Sequence, residues 1–182
     1  MEFRKTRIEG LVEIFPQILE DDRGIFFESY SERKFKDAGL DLTFVQDNQS
    51  FSIKGVMRGL HYQRNPHAQG KLVKVSLGKA IDIAVDIRKN SPTFGQYETF
   101  ILDPIRHNMV YIPEGFAHGF IALEDTILSY KCTNFYNKPS ECGIIWNDST
   151  LNIDWGVENP IISSKDAELL TLQELIEQDL TF

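Results

Sequence analysis

Apolar and polar residues along this chain alternate in short runs, with few stretches at helical spacing. Candidate strands are Gly10–Leu19, Ile25–Tyr30, Phe44–Ser52, Lys71–Leu77, Ala80–Ile87, Tyr97–Leu102, Met109–Ile112, Gly119–Leu123, Thr126–Thr133 and Gly143–Trp146. The turn-forming stretches DDRG, NSPTFG, PEGF, NKPSE and NDST separate them. Many short strands at this spacing predict a mainly β sandwich or barrel. Two helices are expected. One spans residues 31–39, from a capping Ser31 to Gly39. The other spans 163–178, where Ser163 starts an SxxD-like turn ahead of apolar residues at helical intervals.

Strand alternation also assigns directions. In Lys71-Leu72-Val73-Lys74-Val75, Lys71 shares a face with Val73 and Val75, while Lys74 shares the other with Leu72. Lys71 is therefore expected inside the barrel and Lys74 outside. By the same rule Tyr130 points with Leu128 and Cys132.

The chain has 182 residues and shows no repeat, linker or low-complexity tract, so one domain over residues 1–182 is expected. A formal charge of −8 argues against a nucleic-acid partner. No apolar run is long enough to span a bilayer, and MEFRKTRIEG does not read as a signal peptide. The expectation is a cytoplasmic protein with Cys132 and Cys142 as free thiols.

The stretch RGLHYQRNPHAQGKLVKV, with its flanks, changes the picture. Gly55, His61, Gln63, Lys71 and Gly78, followed by Pro113, Gly115 and His118 in IPEGFAH, resemble the two motifs of the cupin barrels. Metal-binding cupins supply histidines and a carboxylate at these positions. Here His61 and His118 remain, but Gln63 and Lys71 replace the other ligands. A divalent cation wants imidazole and carboxylate ligands, and an ammonium beside it repels it. A lysine inside a barrel is costly unless it meets negative charge. The expectation is a metal-free pocket for an anion such as a phosphate or an enolate oxygen.

DDRGIFFES, FVQDNQS, KGVMRGLHYQ, QGKLVKV, VDIRKNSPTFG, IPEGFAHGF, SYKCTNFYN, GIIWND and SSKD resemble the dTDP-4-dehydrorhamnose 3,5-epimerase family over about residues 10–166. The resemblance implies a double-stranded β-helix, a cupin-like jelly roll with a few short peripheral helices. It also implies a homodimer needing no cofactor or metal, with a dTDP-linked 4-keto-6-deoxy sugar as substrate. Epimerisation beside a ketone requires a base, an acid on the opposite face, and a cation near the ketone oxygen. The resemblance makes His61 the base, Asp166 its orienting carboxylate, Lys71 the enolate stabiliser and Tyr130 the proton donor. Histidine suits the first role because imidazole ordinarily titrates near cellular pH. Preorganised charge suits the third.

Arg23, Arg58 and Lys165 match positions that contact the diphosphate or sugar, and a planar guanidinium donates to phosphate in pairs. Glu28, Gln46, Asp47, Asn48 and Glu141 match positions recognising thymidine or its polar surroundings. Tyr136 matches a residue stacking on thymine, and His118 matches a further contact. His67 and His107 read as non-functional, Trp146 and Trp155 as core or interface aromatics. After SSKD the chain departs from the family with AELLTL. Alternatives are a single-carbon epimerase or a 3,4-ketoisomerase on a related dTDP-4-keto sugar. A metal-dependent oxygenase and a non-catalytic sugar-binding barrel are weaker alternatives: one lacks ligands, and the other has no use for both His61 and Tyr130.

Overall fold

The computed structural model describes all residues 1–182. In chain order the strands are β1 Glu2–Lys5, β2 Val12–Phe15, β3 Leu19–Asp21, β4 Gly24–Phe26, β5 Gln46–Ser52, β6 Met57–Gln63, β7 Lys71–Leu77, β8 Ala80–Asp86, β9 Tyr97–Leu102, β10 Met109–Ile112, β11 Phe116–Ala122, β12 Thr126–Cys132 and β13 Glu141–Gly143. The helices are α1 Glu32–Asp37, α2 Ser164–Ala167 and α3 Leu172–Glu177. One sheet has the order β1-β2-β10-β7-β12-β5 and the other β13-β6-β11-β8-β9, while β3 and β4 form a separate hairpin. The strands pair antiparallel, as a jelly roll requires.

Three apolar layers hold this arrangement. Between the sheets lie Val73, Val75, Leu128, Ala80, Ala84, Phe116 and Phe120, with Ile8 and Leu11 closing one end. Outside the first sheet, Phe35 of α1 covers Val12, Ile14, Leu72 and Met109. Outside the second, the segment after β13 lays Leu151, Trp155, Leu172 and Leu175 over Met57, Leu60, Ile83 and Ile121. A strand covered on both faces reads as one apolar run, and every residue of β11 is buried. The uncovered β5 alternates exposed and half-buried residues before ending on buried Ser52.

The directions read from alternation hold. Val73 and Val75 lie between the sheets and Leu72 outside. Leu128 and Tyr130 also face inward. The mainly β jelly roll is present, with corrections in detail. Strand β6 falls outside the expected strands because a bulge breaks its alternation. Gly10–Leu19 is not one strand: β2 stops at Phe15, before Pro16, which cannot donate to a ladder. Strand β4 covers only the start of Ile25–Tyr30, and β13 precedes most of Gly143–Trp146.

The helix expected at 163–178 is two helices. Between them the Leu170 carbonyl accepts from the Ile145 N–H at 2.8 Å, and Thr171 opens α3 with a capping box to Glu174. Ser163 does cap α2, its hydroxyl accepting from the Asp166 N–H at 3.1 Å. Ser31 precedes α1 but makes no side-chain cap.

Candidate active site

A cavity of about 310 Å³ opens between the sheets, at the small end of ligand pockets. The first sheet lines it with Ser50, Lys71, Leu128 and Tyr130, the second with Arg58, His61, His118 and Phe120. The C-terminal segment contributes Ser163, Lys165 and Asp166.

The positions of Arg58 and His61 depend on a bulge. Residues three apart on a regular strand point to opposite faces. The register runs His118↔His61 and then Phe120↔Arg58, so β6 spends three steps where β11 spends two. The extra residue turns both side chains into the cavity. Gly59 makes this possible. Its φ is +118°, and a Cβ there would lie 2.5 Å from the Gly119 Cα and 2.7 Å from the His118 carbonyl oxygen. The freed Gly59 N–H donates to Asp166 Oδ2 at 3.2 Å.

Asp166 Oδ1 lies 2.8 Å from His61 Nε2. The Asp166 side chain is 6% exposed. Burial pushes its pKa up, but the hydrogen bonds from His61, Gly59 and Ser163 and the neighbouring imidazole outweigh this and hold it below the ordinary value. Its imidazole keeps access to the cavity, with a side chain 29% exposed.

Across the cavity, burial raises the Tyr130 pKa and keeps the phenol protonated. The Lys71 Nζ lies 5.8 Å from the Tyr130 ring centroid. Burial pulls the Lys71 pKa down, and Cys132, Asp82 and Glu141 push it back up. Arg58 is aimed by its neighbours: Nε donates to Ser52 Oγ at 3.0 Å and Nη2 to the Phe51 carbonyl at 3.3 Å. His118 Nε2 lies 2.7 Å from Asp82 Oδ2. Burial lowers the His118 pKa, with Asp82 opposing.

A run of hydrogen bonds forms the rim. Gln46 Nε2 donates to Asn48 Oδ1 at 3.1 Å, and Gln46 Oε1 accepts from the Tyr136 N–H at 3.1 Å. The Tyr136 hydroxyl donates to Glu141 Oε2 at 2.9 Å, and Lys165 Nζ to Glu141 Oε1 at 2.6 Å. The Tyr136 ring remains half-exposed.

Three expected site residues lie elsewhere in this chain. Asp47 faces outward on β5 and pairs with Lys131 at 3.0 Å, because alternation puts it opposite Gln46 and Asn48. Arg23 sits on the β3–β4 hairpin, paired with Asp21 at 2.6 Å and 90% exposed. Glu28 pairs with Lys34 beside α1.

Gln63 is consumed as a strut. Its amide donates to the carbonyls of His67 at 2.6 Å and Phe135 at 3.1 Å, and accepts from the Asn137 N–H at 2.6 Å. No group of three or more His, Cys, Asp or Glu side chains is placed to hold a metal ion. His107 packs on Phe27 with centroids 4.7 Å apart, and Trp155 is buried with Nε1 donating to the Trp146 carbonyl at 2.9 Å. Both cysteines are free thiols. No helix is long and apolar enough to cross a membrane.

Sequence reasoning passed over Asp82 and the Gly59 N–H. The available signal for Asp82 was AIDIAVD, where two aspartates, Asp82 and Asp86, alternate onto the same face as Ala80 and Ala84.

An imidazole–carboxylate pair, a phenol and an ammonium around one jelly-roll cavity define an acid–base isomerase. The dTDP-4-dehydrorhamnose 3,5-epimerase family model matches residues 5–174, and the chain belongs to that family. It is 49% identical over 164 residues to the dTDP-4-dehydrorhamnose 3,5-epimerase of Shigella flexneri, covering 89% of this chain and 91% of that one. Among solved structures it is similar to a dTDP-6-deoxy-D-glucose-3,5-epimerase from Legionella pneumophila in complex with dTDP-4-keto-L-rhamnose. That match has a TM-score of 0.93 and 44% identity, over 99% of this chain and 96% of the other. A 3′-monoepimerase from Streptomyces bikiniensis in complex with dTDP-quinovose superposes with a TM-score of 0.92 at 32% identity, over 97% and 90% of the two chains.

Proposed function

We propose that the chain converts dTDP-4-dehydro-6-deoxy-D-glucose to dTDP-4-dehydro-L-rhamnose, inverting C3 and C5. The observation that carries this reading is the His61–Asp166 pair on one wall of the cavity, with Tyr130 and Lys71 on the other. His61 takes the proton from the carbon beside the C4 ketone, and the C–H electron pair moves onto the ketone oxygen as an enolate. Lys71 stabilises that oxygen. Collapse of the enolate takes a proton from Tyr130 on the opposite face, leaving a phenolate and an imidazolium that reset by proton exchange with solvent. No oxidation state changes overall, so a base, an acid and a cation suffice without a cofactor. Asp166 holds the His61 ring and stabilises the imidazolium.

Arg58, Lys165 and His118 hold the diphosphate and sugar. Tyr136 stacks on the base, and Gln46, Asn48 and Glu141 surround it. Arg23 and Glu28 join this site when two copies associate as a homodimer, a reading supported by the exposed Leu19, Ile25 and Phe26 on the hairpin that carries Arg23.

The similarity to a 3′-monoepimerase favours one second reading, inversion at a single carbon. Incubation with dTDP-4-keto-6-deoxyglucose in deuterated water tests both. Deuterium at C3 and C5 is the expected result, label at one carbon supports the second reading, and no label removes both.

A further inference from the structure

Asp82 is a charged group buried behind the cavity-lining His118, and the proposed mechanism leaves it without a task. It shares the inward face of β8 with the core residues Ala80 and Ala84 and is 0% exposed. Oδ2 meets His118 Nε2 at 2.7 Å, while Oδ1 has no hydrogen-bond partner. An unpartnered carboxylate oxygen in such a place is costly unless a cation nearby compensates it.

Lys71 lines the same cavity as His118, the partner of Asp82, and is a cation on which the Asp82 charge acts. Around it, β12 presents Cys132 directly opposite and Tyr130 two residues away, and β10 presents Ile112. The other cavity walls bring Arg58, His61 and His118, with Asp82 behind His118, and the C-terminal segment and rim bring Asp166, Lys165 and Glu141. Few of these can balance an ammonium. Burial pushes the Cys132 thiol up, so it is neutral at cellular pH. Glu141 is engaged by Lys165 and Tyr136, and Asp166 by His61 and Gly59. That leaves the Asp82 carboxylate.

We propose that Asp82 is a positioning residue with two duties: Oδ2 fixes the His118 ring, and Oδ1 supplies the negative charge that keeps Lys71 an ammonium inside the barrel. Against the Asp82 carboxylate His118 donates through Nε2–H, and its other ring nitrogen faces away. The catalytic part rests on the reading that Lys71 stabilises the enolate.

The test is the titration of Lys71 in full-length protein carrying ¹³Cε-lysine, its signal assigned by loss in Lys71→Met. In Asp82→Asn the Lys71 midpoint should fall by about one pH unit or more, since an opposite charge is removed. The alkaline limb of deuterium exchange should move down with it, in kcat more than KM. An unchanged midpoint in a folded Asp82→Asn protein overturns the proposal, and so does a lowered midpoint with an unmoved rate profile. The titration needs no substrate, so failure of the wild type to exchange deuterium would sink the epimerase reading and still leave the Asp82 counter-charge decided. If Asp82→Asn does not fold, His118→Gln decides instead. It keeps the carboxylate, so the Lys71 midpoint should hold or rise, and a fall of similar size would overturn the assignment.

Discussion

Two histidine–aspartate pairs face the same cavity from adjacent strands, with His61 and His118 directly opposite in the β6–β11 ladder. Their hydrogen bonds are nearly equal in length, at 2.8 Å and 2.7 Å. Their surroundings differ. The side chain of His61 is 29% exposed and its carboxylate arrives from the C-terminal segment, whereas that of His118 is 7% exposed and its carboxylate sits on neighbouring β8. Under the proposed mechanism His61 must meet substrate and accept a proton, which its open position allows. A buried imidazole is held neutral and serves as a fixed donor. Burial and the origin of the partner carboxylate thus separate two side chains of the same type.

The sharpest way to break this comparison is His61→Asn, which should cut deuterium exchange about a thousandfold. Calorimetry with dTDP should show nucleotide affinity changed by less than about threefold, because the base is not part of uniform binding. A His118→Asn loss as large as that of His61→Asn would erase the distinction. Asp166→Asn should come next, lowering kcat on the order of a hundredfold with KM little changed, since it orients and charge-stabilises a base that is still present.

The smallest effects are on stability. The depressed Asp166 contributes stability that is present above about pH 4 and lost as pH falls through its lower folded value. His118, also depressed, contributes stability that is present above about pH 6.5 and lost as pH falls towards its folded value. Thermal unfolding of His118→Gln should therefore be flatter than wild type between pH 7 and about 5, whereas Asp166→Asn should keep the wild-type slope there.

Much of this was legible in the chain. Alternation alone places Lys71 and Tyr130 inside, because β7 and β12 are regular where it matters, and the short strands announce the jelly roll. His61 and Arg58 were legible as a motif but not as a surface. A bulge at Gly59 puts two residues of odd spacing on one face, and alternation gives no warning of it. Asp166 was legible as a capped turn and through the family resemblance, while the break of the expected helix at Leu170 depends on a backbone contact with Ile145 from a distant part of the chain. Arg23 and Glu28 escape placement for a different reason: within one chain they pair with Asp21 and Lys34, and nothing draws the β3–β4 hairpin or the residues after it to the cavity.

The C-terminal layer separates, along the sequence, the residues that build the barrel from the carboxylate that meets His61. Both sheets are complete by Gly143, yet the carboxylate that meets His61 lies more than twenty residues later, in a segment held on the second sheet by Leu151, Trp155 and Leu172. Under the proposed mechanism, a chain with its barrel closed but this last layer undocked would run at about the hundredfold lower rate expected of Asp166→Asn.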